Sequence, residues 1–167
     1  MLFRSDPPLN RNRSLALRHT HDNALLADWR RAHPELASRA PGWVQQLVLA
    51  ADAFVVRRGS GHSLLAGYPW FGDWGRDTMI TLPGLTLATG RFDTALRVLR
   101  TFARFVDRGM LPNVFPGAGE APEYNTVDAA LWYLEAWRAY MDFTDDRAAL
   151  ARVAVRLTRL EPSASMV

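Results

Sequence analysis

The sequence contains no cysteine and no lysine. Without cysteine there is neither a disulfide nor a thiolate metal site, which fits a reducing compartment. Four histidines remain as metal ligands (His19, His21, His33, His62), and they do not share one helical face at ligand spacing. No metal and no other cofactor is therefore expected. All twenty basic residues are arginine, which points to a base-composition bias in the coding DNA. They are scattered, with no basic stripe interleaved with aromatics, so no nucleic-acid partner is expected. No segment reaches about eighteen apolar residues, and the N-terminal MLFRSDPPLNRNR lacks an apolar leader core. Neither export nor membrane insertion is expected, and the expected location is cytoplasmic.

What is present suffices for one packed domain. The 167 residues are 49% hydrophobic and 22% charged, the composition of a folded chain. Residues 1–40 read as a polar lead-in with a short helix from Asp22 to about Arg31, ending before Pro34. Val44, Leu47, Val48, Ala51, Phe54 and Val55 recur at helical spacing and predict a helix over 42–57. A helix over 77–88 must bend or restart at Pro83–Gly84, because proline lacks a donor and clashes with the preceding turn. Helices are predicted over 91–107, 126–142 and, capped by Asp145 and Asp146, 146–160. Residues 109–125 form a long Pro-, Gly- and Asn-rich loop, and 161–167 an unstructured tail. The fold class is all-α, half-wet helices alternating with nearly buried ones. The segment 126–142 is apolar nearly all round, which predicts burial on most sides. An open flank there predicts exposed apolar surface around Tyr133, Trp137 and Met141, and self-association through it.

Two clusters carry the chemistry. AGYPWFGDWGRDT (66–78) sets Trp70, Phe71 and Trp74 among three glycines, with Asp73, Arg76 and Asp77. The glycines suit close backbone approach to a ligand rather than a helix interior. Flat rings beside Arg and carboxylates suit a sugar, whose C–H face lies on the ring while its hydroxyls meet the charges. The second cluster, Leu111 to Trp132, supplies Asn113, Glu123, Tyr124, Asn125, Asp128 and Trp132. Taken singly, Asp77–Thr78, Asn125 and Thr126 also read as helix caps, Asp73 as a loop brace, and Asn113 as a turn residue bonded to its own backbone.

The motifs AADAFVVRR, AGYPWFGDWGRDTMITLPGLTL, GMLPNVFP and PEYNTVDAALWYLEA together resemble the C-terminal, amylo-α-1,6-glucosidase domain of glycogen debranching enzymes. The resemblance covers about 42–146 in order and spacing. It implies an (α/α)6 toroid, inverting hydrolysis of the α-1,6-linked glucose at a glycogen branch stub, and glycogen or a branched α-glucan oligosaccharide as partner. Carried over, Arg76, Asp77 and Asp128 line the glucose pocket, with Trp70, Trp74, Tyr124, Asn125 and Trp132 as its walls.

Twelve toroid helices need well over three hundred residues, whereas five or six are predicted over 41–160. By the resemblance, the general acid sits in a TWMD-like motif and the base is a Glu near the toroid's end; this sequence carries neither. Inversion needs one carboxyl that donates a proton and one that activates water, roughly 6.5 to 9.5 Å apart. Either Asp77 and Asp128 orient the sugar while that pair is missing, or they are the pair. The first is preferred, because Arg76 beside Asp77 suits hydroxyl binding. A non-catalytic α-glucan-binding or helical scaffold module is the alternative from another class.

Overall fold

A computed structural model describes residues 11–114 and 121–158. The tail 161–167 and part of the 109–125 loop lie outside those residues. The described chain is mostly helical, as expected, with one small hairpin besides.

Helix α1 (Arg11–Ala32) is 22 residues long, well beyond the short helix expected. Between its ends there is no Pro or Gly to stop it, and Arg18–Asp22 adds an i,i+4 ion pair at 2.8 Å. Only Leu25 and Trp29 are buried, so its last turns dock while its first half lies in water. Docking is close: a side chain at Gly90 (φ 77°) would meet the Asp28 carbonyl at 2.8 Å. Helix α2 (Pro34–Arg39) starts on proline, which loses no bond at a first turn.

Helix α3 (Gly42–Asp52) stops five residues before the expected end at 57. The remainder becomes strand β1 (Val55–Arg58), paired antiparallel with β2 (Gly61–Leu64) in the register Val55↔Leu64 to Arg58↔Gly61. Val55 and Val56 favour the pleated form, and Gly59 (φ 54°) takes the left-handed position in the two-residue turn. The hairpin lies on the next long helix so tightly that a Cβ on Gly61 would collide with the Thr101 hydroxyl.

Helix α4 (Gly75–Leu82) runs into a π-helical turn, Pro83–Leu87. Pro83 gives no N–H to the ladder, and the chain widens so that Ala88 N donates to Pro83 O at 2.9 Å. The expected interruption therefore takes the form of a wide turn. Helices α5 (Phe92–Phe102), α6 (Asp128–Thr144) and α7 (Arg147–Thr158) follow. Asp145 ends α6 in the left-handed region (φ 48°), and Asp146 Oδ1 accepts from Ala149 N at 3.0 Å, capping α7.

The core lies between α4, α5 and α6, on Met79, Leu82, Val98, Leu99, Phe102 and Trp137. Helix α6 is not buried all round. One stripe (Ala129, Tyr133, Ala136, Trp137, Tyr140) faces inward, while Leu131 and Leu134 are exposed. Tyr133 and Trp137, expected at an open edge, are buried, and Met141 is half-buried, so their placement does not support self-association. Tyr133 donates to Leu99 O at 2.9 Å, and burial pushes its hydroxyl up to about 12.

Candidate functional site

The first cluster is a braced loop followed by a helix start. Leu65 N donates to Phe54 O (2.9 Å), extending the hairpin. The loop closes on itself through Ala66 N to Gly72 O (2.8 Å) and Phe71 N to Gly67 O (2.9 Å). Tyr68 donates its hydroxyl to Ala53 O at 2.5 Å. Asp73 is only 8% exposed, with both carboxylate oxygens 2.7 Å from Arg58 Nη1 on β1. Phe71 and Trp74 meet edge to face, ring centroids 6.1 Å apart. Trp70, at the loop's far turn, is 83% exposed.

Helix α4 has no side-chain cap from Trp74. Its first amides are taken by Asn113, from the loop after α5. Gly75 N donates to Asn113 O at 2.7 Å, and Arg76 N to Asn113 Oδ1 at 3.2 Å. Asn113 is buried and bonds to a distant backbone rather than to its own turn. The approach requires glycine at 75, because a Cβ there would collide with the Pro112 carbonyl. Val114 then pairs with both Trp74 and Glu123, tying the two clusters along the backbone. Asn113 N donates to Glu123 O (2.9 Å) and Glu123 N to Val114 O (3.1 Å).

The second cluster continues from that tie. Tyr124 donates to Phe105 O at 2.7 Å; burial, then Asp107, raise its hydroxyl above the ordinary range. Asn125 Nδ2 lies 3.5 Å from Glu123 Oε2. Asp128 opens α6, and Trp132 stands one turn on, on the same face. Across the gap, Arg76 Nη1 is 3.6 Å from Asp128 Oδ2. Arg76 thus pairs with Asp128 and not with its neighbour Asp77, since consecutive helix residues do not face each other. The Asp77 carboxylate has no partner among the described residues. Both acids lie in first turns, of α4 and α6, near the positive helix ends.

Sequence reasoning missed Arg58, whose role depends on the hairpin placing it against Asp73. Among the described residues no group of three or more His, Cys, Asp or Glu gathers as a metal site. No described helix is long and apolar enough to cross a membrane. An apolar cleft of about 380 Å³ lies elsewhere, between α6, α7 and Met110–Leu111. Its one lining hydroxyl, on Tyr133, is already committed to Leu99, so the cleft offers a sugar little.

The family model of amylo-alpha-1,6-glucosidase matches residues 49–161. The chain belongs to the amylo-alpha-1,6-glucosidase family. The match spans the hairpin, the braced loop and both acid-bearing helices, so every candidate site residue lies inside it. Over 89 residues the chain is 40% identical to the glycogen debranching enzyme of Saccharomyces cerevisiae. That alignment covers 50% of this chain and 6% of the yeast protein. Helices α1 and α2 precede the matched region of this amylo-alpha-1,6-glucosidase family member.

Proposed function

We propose that the chain takes part in inverting hydrolysis of α-1,6-linked glucose at glycogen branch stubs and supplies the sugar-binding side of that site. The observation that carries this reading is the 3.6 Å contact between Arg76 and Asp128, which joins the two clusters across α4 and α6. A guanidinium offers a planar fork of donors and a carboxylate only acceptors, so the pair can meet neighbouring sugar hydroxyls together. Asp77 adds a further acceptor beside them, and Asn125 an amide. Phe71, Trp74, Tyr124 and Trp132 offer ring faces to the apolar side of the sugar. Asp73 acts as a brace in this reading, since Arg58 holds both its oxygens.

Inversion also requires a proton donor and a water-activating carboxylate. Asp77 and Asp128 orient the glucose in this proposal, and the proton-transferring pair is missing from this chain. The helices from α3 onward are then one section of an (α/α)6 toroid, with the loops entering α4 and α6 opening at one rim.

Native gels cast with glycogen test the reading. The chain should be retarded, Asp128→Asn and Trp74→Ala should run freely, and a singly branched limit dextrin should release no glucose. Release of glucose by the chain, abolished in Asp128→Asn, would make the two acids the reacting pair. Absence of retardation at high glycogen concentration would end the proposal.

A further inference from the structure

Arginines that lie apart in sequence come together along one groove between α5 and α7. Arg100 stands in the last turn of α5, and Ala103 stays helical (φ −55°, ψ −22°), so Arg104 follows one turn on along the same face. Arg152 lines the groove from the middle of α7. The groove has a volume of about 390 Å³, and the buried side chains of Ala103 and Val153 form its floor. No carboxylate lines it among the described residues. None of its three guanidinium groups forms an ion pair with a described residue, whereas Arg18, Arg58, Arg76 and Arg91 each find an acid. Asp146, at the start of α7, is already engaged by the Tyr140 hydroxyl at 3.2 Å and by Ala149 N at 3.0 Å.

Like charges one turn apart repel and weaken a helix. The negative end of α5 favours Arg100 and Arg104 but does nothing for Arg152. Arg104 Nη1 donates to Ser60 Oγ at 3.2 Å, so the hairpin turn holds that guanidinium in place. The hairpin is electropositive too: burial first, then Arg97, Arg57 and Arg91, disfavour a proton on His62. Each guanidinium presents a planar fork that fits two oxygens of one phosphate. Three of them carry three positive charges, whereas a single phosphate group brings about −1.5 to −2 at pH 7. Two linked phosphates close that balance. We propose that the groove binds a small molecule bearing a diphosphate, with its anionic oxygens on Arg100, Arg104 and Arg152 and its organic part on the Ala103–Val153 floor. No residue of the two sugar-binding clusters lines the groove, so the proposal stands independently of the glycogen reading.

Calorimetric titration at fixed ionic strength tests it with inorganic phosphate, pyrophosphate, a nucleoside diphosphate and a short DNA duplex. Pyrophosphate should bind at least about tenfold tighter than phosphate, and the nucleoside diphosphate at least as tightly as pyrophosphate. Arg100→Gln and Arg152→Gln should each weaken pyrophosphate by about tenfold, with Arg152→Lys restoring part of the loss. Arg39→Gln, on α2, should leave it unchanged. All these side chains are exposed, so melting and glycogen retardation should stay as in the wild type. Pyrophosphate no tighter than phosphate, or an equal loss in Arg39→Gln, would reduce the groove to diffuse surface charge and overturn the proposal. A nucleoside diphosphate far weaker than pyrophosphate would remove the organic part and overturn it as well. Tighter binding of the duplex than of pyrophosphate, lost in the same variants, would overturn it in favour of a nucleic-acid surface.

Discussion

Arg76 and Asp128, fifty-two residues apart in sequence, face each other across the starts of α4 and α6 at 3.6 Å. Both side chains are substantially exposed, at 40% and 47%, and an ion pair so placed contributes at most about 1 kcal/mol to folding. Its value should therefore appear in binding. Arg76→Ala and Asp128→Asn are each expected to shift urea stability by less than about 1 kcal/mol and to weaken glycogen retardation by at least about tenfold. A large stability loss with intact retardation would make the pair structural.

The seam between Gly75 and Pro112–Asn113 should behave oppositely. Gly75→Ala must push the Pro112 carbonyl away, and about 1–3 kcal/mol of destabilisation is expected for such overpacking. Asn113→Ala removes the acceptor for Arg76 N from a buried position and should cost about 1–3 kcal/mol. Gly72→Ala is the control, since nothing lies within 4 Å of its added methyl. Equal melts for Gly75→Ala and Gly72→Ala would refute the close approach.

Asp73 separates bracing from sugar contact. Truncation to Ala unpairs a largely buried contact with Arg58 and should destabilise the fold by about 2–3 kcal/mol. Protease cleavage within 66–74 should speed up in step. Lost glycogen binding with unchanged melting and cleavage would return Asp73 to the ligand-contacting set.

His62 links stability to pH. Burial first, then Arg97, Arg57 and Arg91, hold its imidazole below the ordinary value of 6.5. As pH falls through about 6.5 the unfolded chain takes up the proton before the folded one does. The His62 contribution is thus complete above that pH and is lost on acidification towards the lower folded value. The melting midpoint of the wild type should fall more steeply below about pH 6.5 than that of His62→Gln. Parallel curves would show that His62 is not the group responsible.

Legibility followed the range of the interactions. Helix α5, the break at Pro83 and the Asp146 cap were readable, because each depends on neighbours within a turn or two. The hairpin was not, since Val55 and Val56 also continue the helical spacing of α3. Two four-residue strands gain their preference from each other and from Thr101 on α5, thirty-nine residues beyond His62. In α6 composition misled, because which apolar side chains are buried depends on the helices packed alongside. Asn113 read as a local turn residue because nothing nearby in sequence announces α4 as its partner.

By itself, the order of residues determined the helical class, the two clusters of rings, acids and arginine, and the family to which they belong. Those follow from short-range periodicity and from words dense enough to be distinctive. Only the tertiary structure decided which acid Arg76 would meet, which arginine Asp73 would meet, and which amides Asn113 would cap. Each of those contacts joins segments far apart along the chain, and partners of that kind are chosen by packing rather than by propensity.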